Sequence, residues 1–253
     1  MNERAFFNIL LIAWFVLAAI IFVALFFIVA PYGRYSRRRW GPKIGDKLGW
    51  IIMEAPSPLL FAIFFVIGIK YIGLTAVAFL LLWEAHYVHR AFIYPFTRRA
   101  GASGMAVAVV SMGFVFNIGN AYLNGRYLFT LSGGYENAWL LTPQFTIGAA
   151  LFLAGFFINR WADASLRNLR QPGQSGYKIP EGGLYRWISC PNYFGEMLTW
   201  VGWAVATWSL PGLAFAVFTV ANLAPRARAH HLWYKRQFAD YPPQRKALVP
   251  AVW

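Results

Sequence analysis

Three carboxylic acids of this chain, Glu54, Glu84 and Glu196, stand inside stretches that are otherwise apolar. A carboxyl taken out of water resists ionisation, and one that keeps its proton can donate a hydrogen bond to a carbonyl oxygen. Glu54, in IIMEAPSP, suits such chemistry. Pro56 and Pro58 follow it and should break or kink the helix there. The plainer reading is a carboxyl paired to a helix end that the prolines free. Glu84 opens the stretch WEAHYVHRAFIYPF, which crowds His86, Tyr87, His89, Arg90 and Tyr94 together. On a regular helix Tyr87 shares a face with Arg90 and Tyr94. A structural ion pair from Glu84 to Arg90 or to another span is its plainer role. His86 and His89 lack the spacing of a zinc motif, so no metal site is expected.

Asn192 and Glu196, four apart, put an amide and a carboxylate on one helix face where a glycine-containing loop enters an apolar run. Ser189 or Asn192 caps that helix in the plainer reading. Asn117, Asn120 and Asn124 form a stripe that serves as helix–helix glue or as the edge of a polar cavity. Asn159, Asp163, Arg167 and Arg170 make a polar face in INRWADASLRNLRQPG. Near the C-terminus Arg226, His230, His231, Tyr234, Lys235 and Arg236 interleave charge with rings. Together with Arg170 and Lys178 they could clamp a phosphorylated adenine nucleotide, since guanidinium groups bind phosphate in bidentate fashion. The alternative is that they meet anionic lipid headgroups. Neither a Gly-rich dinucleotide fingerprint nor a P-loop occurs.

The elements that must position these groups are apolar helices. The 253 residues are 59% hydrophobic and only 13% charged, against about 25% charged in a soluble domain. Seven apolar segments, about 5–30, 49–69, 72–94, 104–124, 142–159, 193–208 and 210–225, approach the roughly 20 residues a helix needs to cross hydrocarbon. The first reads as a span and not a cleavable signal. The last two are short and joined as a tight hairpin. The net charge of +14 follows the loops. Six cations fall between residues 34 and 47, two at 98 and 99, five between 160 and 186, and six between 226 and 246. Only Arg4, Lys70 and Arg126 fall in the alternate connections, and Arg90 lies within a span. This places the N-terminus outside and the C-terminus in the cytosol, with 160–188 and 226–253 as ordered cytosolic caps. It also removes the case for nucleic acid. The single Cys190 excludes internal disulfides.

The expected fold class is therefore all-α, a polytopic membrane protein of seven transmembrane helices. The motifs APYGRY (30–35), WIIMEAPSP (50–58), HYVHRAFIYP (86–95), GNAYLNGRY (119–127), INRWADASLRNLRQPG (158–173), GYKIPEGGLYRWISCPNYFGE (176–196) and HHLWYKRQFADYP (230–242) resemble the steroid 5-alpha-reductase family over nearly the whole chain. The late block is the most specific. Its N-x-x-x-E piece alone is shared with sterol reductases and isoprenylcysteine methyltransferases. The resemblance implies a single membrane-embedded reductase domain, with spans to about residue 124 forming the substrate pocket and about 142–253 the NADPH site. It implies hydride transfer to carbon 5 of a 3-oxo-Δ4 steroid, with Glu54 and Tyr87 holding the ketone. Cofactor contacts would fall on Trp50, Asn159, Asp163, Arg170, Tyr177, Asn192, Glu196, Arg226, His230 and Tyr234. Asn120, Lys178, Tyr32, Arg34 and Arg99 are weaker candidates. The loop TRRAGASG departs from the family's pattern at Arg99. Alternatives are a reductase of another lipid enone or polyprenol, and a membrane methyltransferase using S-adenosylmethionine. The partners expected are a lipid-soluble substrate and membrane lipid, with the protein working as a monomer. The host membrane is the bacterial inner membrane, or the endoplasmic reticulum if the source is eukaryotic.

Overall fold

In lipid every backbone N–H and C=O must be satisfied within the chain, and a helix does this segment by segment. The computed structural model describes residues 2–28, 41–68, 70, 73–97, 104–169 and 176–253, and these are helical nearly throughout. The principal helices are α1 Glu3–Phe27, α2 Asp46–Glu54, α3 Pro56–Ile67, α4 Leu74–Val88, α5 Tyr94–Thr97, α6 Val107–Arg126, α7 Pro143–Asn168, α8 Pro191–Thr207 and α9 Leu210–Gln237. A two-residue strand β1, Lys43–Ile44, pairs antiparallel with β2, Met105–Ala106. Large apolar side chains stay exposed along α1, α3, α6, α7 and α9, among them Ile12, Ile20, Ile63, Val115, Phe157 and Leu213. Water would not tolerate so much exposed apolar surface, and hydrocarbon accepts it. The chain is a multi-pass helical membrane protein. Among the described residues five helices are long and apolar enough to cross: Glu3–Phe27, Asp46–Ile67, Val107–Leu131, Pro143–Asn168 and Leu210–Gln237. The other two expected spans are helical too. However, α8 has 17 residues, and α4 has 15 before the chain widens into a π-helix at His89–Ile93.

The prolines break the helix as expected: α2 ends at Glu54 and Pro56 opens α3, where a missing N–H costs little, while Ala55 between them keeps right-handed helical angles (φ −57°, ψ −33°). One sequence expectation changes here: α9 runs twelve residues past the apolar segment that ended at 225, carrying Pro225 inside it. Hydropathy fades at Arg226, but the sequence ARAHHLWYKRQ remains a good helix former. Arg226, His230 and Tyr234 thereby fall at successive i, i+4 positions of one helix. The expected tight hairpin is present: only Trp208 and Ser209 separate α8 from α9, and Trp208 adopts φ 47°.

The chain forms two compact units. One comprises Met1–Ile12, Pro31–Thr146 and Thr207–Pro211. Its core stacks Phe61 on Trp83 (4.3 Å, 8° between planes), with Phe129 edge-on to Phe61. The other comprises Ala13–Ala30, Ile147–Ala206 and Gly212–Trp253, with Phe152, Trp200 and Trp203 buried together.

Candidate active site

In the first unit the prolines set the geometry. The α2–α3 junction interrupts the main-chain ladder, and Asn117 on α6 donates its amide to the Met53 carbonyl at 2.8 Å. The same Nδ2 reaches Glu54 Oε2 at 3.3 Å. Arg90 Nε donates to Glu54 Oε1 at 3.2 Å. Glu54, 6% exposed, is thus not the unpaired carboxyl expected from its apolar flanks. Nor does Glu84 pair with Arg90: its Oε1 is buried without a hydrogen-bond partner. The two lie six positions apart, about 240° around a regular helix, so one helix does not bring them together. Glu54 and Arg90 are 36 positions apart, so helical spacing could not have paired them.

Tyr87 is buried and bracketed by tethers to the Glu54 segment. Trp83 Nε1, one turn before it, donates to the Ser57 carbonyl at 3.3 Å. Arg90, three residues after it, binds Glu54. Trp83 and His86 also pack on the Tyr87 ring, at 4.9 and 5.1 Å. Trp50 completes the group: its Nε1 donates to the Arg90 carbonyl at 2.9 Å, and the Arg90 guanidinium lies 5.0 Å over its ring. Asn120 is fully buried one turn along α6 from Asn117. Of the expected site residues, this unit brings together Trp50, Glu54 and Tyr87, with Asn120 one turn along α6 from Asn117. Trp83, Ser57, Asn117 and Arg90 were not among them.

Asn117→Leu removes the donor to both Met53 and Glu54. It is expected to lower turnover about tenfold, the worth of one hydrogen bond to a positioned group. Steady-state kinetics and cofactor titration would check this; a parallel loss of cofactor affinity would contradict it.

The second unit positions its polar groups by close helix packing. Gly148 and Gly155 on α7 face Gly202 and Gly195 on α8, each pair seven apart. A Cβ on Gly195 would lie 2.5 Å from the Asn159 backbone N, and one on Gly155 would lie 2.6 Å from the Gly195 carbonyl. Small residues let helix backbones approach in this way. The approach brings Asn159 Nδ2 to the Asn192 carbonyl (2.9 Å) and Asn192 Nδ2 to Asp163 Oδ1 (3.1 Å). Glu196 Oε1 accepts from Trp200 Nε1 at 3.1 Å. Asn192 and Glu196 do share one helix, but neither Asn192 nor Ser189 serves as its cap. Pro191 opens α8, and the Ser189 hydroxyl contacts His231 Nδ1 (2.6 Å) and Tyr241 (2.7 Å).

On α9 the Arg226 guanidinium lies 5.5 Å over the Tyr193 ring, and Tyr193 OH is 3.0 Å from His230 Nε2. Tyr234 stacks on Tyr241 (5.4 Å, 13°). Tyr177 meets Trp233 edge-on at 4.8 Å, with Lys178 exposed beside it in the chain. Burial pushes the phenols of Tyr185 and Tyr241 up, so both remain protonated. Tyr185 donates to the Ala162 carbonyl at 3.1 Å, holding the end of α7 that carries Asp163. This unit brings together Asn159, Asp163, Asn192, Glu196, Arg226, His230 and Tyr234. Tyr193 joins them without having been expected; its position beside Asn192 was the available signal. Arg170, Tyr32, Arg34 and Arg99 lie outside the described residues. No group of three or more metal-ligating side chains occurs among the described residues.

These features define a membrane protein in which one unit buries Glu54 and Tyr87 on helices tethered to each other, and the other gathers amide, acid, guanidinium and ring groups. A family model described as 3-oxo-5-alpha-steroid 4-dehydrogenase matches residues 103–253. A steroid 5-alpha-reductase of Gossypium hirsutum is 38% identical over 256 residues, covering 100% of this chain and 99% of its own. The 3-oxo-5-alpha-steroid 4-dehydrogenase 1 of Rattus norvegicus is 41% identical over 225 residues, covering 88% and 86%. That of Homo sapiens is 39% identical over 227 residues, covering 87% and 85%. The chain belongs to the 3-oxo-5-alpha-steroid 4-dehydrogenase family, a family of oxidoreductases acting on CH–CH groups.

Proposed function

We propose that this chain uses NADPH to reduce the Δ4 double bond of 3-oxo-Δ4 steroids, giving 5α-reduced 3-oxosteroids. The observation that carries the reading is the tethering of Tyr87, from both sides, to the segment holding Glu54. As carbon 5 is reduced, negative charge develops on the 3-oxygen, and donors preorganised there stabilise it. Tyr87 donates through its phenol, and Glu54 donates when it carries a proton. Their environment is suited to this. The Arg90 and Asn117 contacts to Glu54, at 3.2 and 3.3 Å, are longer than the roughly 2.7–2.9 Å of a strong charge-assisted bond. They orient the carboxyl while leaving it able to take a further partner. The surrounding rings of Trp83, Phe61 and His86 exclude water, which strengthens each such interaction.

The second unit fits a phosphorylated dinucleotide. Arg160 Nε and Nη1 are buried without an acceptor, which an anion would supply. Asn159, Asp163, Tyr177, Lys178, Asn192, Glu196, Arg226, His230 and Tyr234 would hold it, with Arg170. When bound, the nicotinamide supplies the hydride. In this reading the spans to about residue 124 serve the substrate and about 142–253 serve NADPH.

The same reading takes the chain across the membrane seven times, with the N-terminus outside and the C-terminus cytosolic. Contacts within the first unit support it. Arg126 and Glu3 form a bidentate pair (2.7 and 2.8 Å), Leu74 N donates to Asn137 Oδ1, and Tyr135 OH donates to the Thr207 carbonyl. Those segments are the ones an alternating path leaves on one side. The β1–β2 pair joins two segments that it leaves on the other.

The test is NADPH consumption by purified protein in detergent with progesterone or testosterone, products read by mass spectrometry. A product two mass units heavier supports the reading. Absence of product with either steroid would overturn the substrate assignment, and absence of NADPH binding would overturn the cofactor.

A further inference from the structure

Among the buried polar atoms of the first unit, Ser57 Oγ and Asn120 Nδ2 have no hydrogen-bond partner and no role in the chemistry above. Both residues are 0% exposed. A buried donor left unmade costs about as much as a lost hydrogen bond, so two together call for an acceptor.

The orientation of the Asn120 amide is settled by its neighbour. Asn124 Nδ2 donates to the Asn120 main-chain carbonyl and to Asn120 Oδ1, both at 3.1 Å. A carbonyl accepts only, so Asn124 must present its nitrogen there, and Asn120 must present its oxygen to Asn124. Asn120 Nδ2 therefore points away from Asn124 with both its N–H groups unused. Asn117 reaches Met53 and Glu54 at one end of the α3–α6 contact. At the other end, a Cβ on Gly125 would meet Phe64 at 3.0 Å and Phe61 at 3.3 Å. Interpolating along the two helices sets Ser57 against residue 120. Trp83 Nε1 fixes the Ser57 backbone through its carbonyl.

We infer that Ser57 and Asn120 form a second pair of donors for the ketone oxygen of the substrate, one helical turn along α3 and α6 from Glu54 and Asn117. This moves Asn120 from the cofactor contacts to the substrate contacts, and it rests on the proposed reduction of an enone. The donor set selects a neutral acceptor. It offers one hydroxyl and two amide N–H groups, and no formal charge. Each donor is worth about tenfold in affinity for a carbonyl over a ligand lacking one, since an unmatched buried partner is costly.

The experiment compares binding of a 3-oxo-Δ4 steroid and its 3-deoxy analogue to the full-length protein in detergent, using ligand-induced thermal shift and equilibrium dialysis. Wild type, Ser57→Ala and Asn120→Leu are compared, with NADP+ affinity measured in parallel. The expected result is that each variant lowers the preference for the ketone about tenfold and leaves NADP+ affinity unchanged. Without ligand, Ser57→Ala should melt at or above the wild-type temperature, because the hydroxyl has no partner to lose. Asn120→Leu also removes the acceptor for Asn124, so Ser57→Ala decides the case if that variant folds poorly. A ketone preference that survives Ser57→Ala overturns the assignment. So does a lower melting temperature of the ligand-free Ser57→Ala protein, which would place a structural water there, or a loss confined to NADP+. A wild type that shows no preference for the ketone takes down the functional reading and this inference together.

Discussion

Replacing Glu54 by Gln is expected to lower turnover by about two to three orders of magnitude, the usual effect of losing a positioned acid, because the Gln amide still donates a hydrogen bond but passes no proton to a developing enolate oxygen. NADPH affinity should stay within about twofold, since the phosphate-binding candidates lie in the other unit. Gln can still accept from Asn117 and fill the same volume. It cannot balance Arg90, whose guanidinium would lose the carboxylate 3.2 Å away. Removing one partner of a buried pair costs about 3–5 kcal/mol, and the partial exposure of Arg90 (25%) reduces that. The variant should therefore melt somewhat below wild type while still binding cofactor. Rapid-quench kinetics, cofactor titration and a melting curve on one preparation separate the two effects. Turnover within a factor of about five of wild type would remove Glu54 from the chemistry. Tyr87→Phe is the companion. It keeps the ring packed against Trp83 and deletes only the phenol oxygen, so the rate should fall with a smaller effect on cofactor affinity.

What the sequence made legible divides along physical lines. A carboxyl in an apolar stretch is visible in one dimension, and so are the i, i+4 relations of Asn192 with Glu196 and of Asn159 with Asp163. They depend only on helical geometry within one segment. The partners of Glu54 were not visible, because Asn117 and Arg90 come from helices 63 and 36 positions away. The Glu84–Arg90 pairing fails on spacing alone, since six positions are about 240° of a regular helix. The end of α9 was misplaced because hydropathy reports lipid exposure, while helix formation continues wherever the backbone is satisfied and propensity is good. The glycine seam was present as two pairs at seven-residue spacing, 148 with 155 and 195 with 202. Its register across helices is a tertiary fact that no spacing within either helix contains.

That seam is also where a small change should do the most damage. Gly195→Val would set a branched side chain where even a Cβ lies 2.5 Å from the Asn159 backbone N and 2.7 Å from the Gly155 carbonyl. These are main-chain atoms, so no side chain can rotate away, and α7 must separate from α8. Separation breaks the Asn159–Asn192 and Asn192–Asp163 bonds together. Overpacking of this kind costs about 1–3 kcal/mol, and the two bonds add about 1 kcal/mol each. The expected result is a protein that melts well below wild type and whose NADPH affinity falls at least about a hundredfold, because the displaced groups are the proposed cofactor contacts. Gly45→Ala is the control. Its Cβ would meet nothing within 4 Å and its φ is −53°, so stability and affinity should match wild type. Titration of NADP+ by fluorescence on both variants is the measurement. Unchanged affinity in Gly195→Val would mean that the α7–α8 seam does not position the cofactor groups, and that Asn159, Asp163 and Asn192 bind something else or only each other.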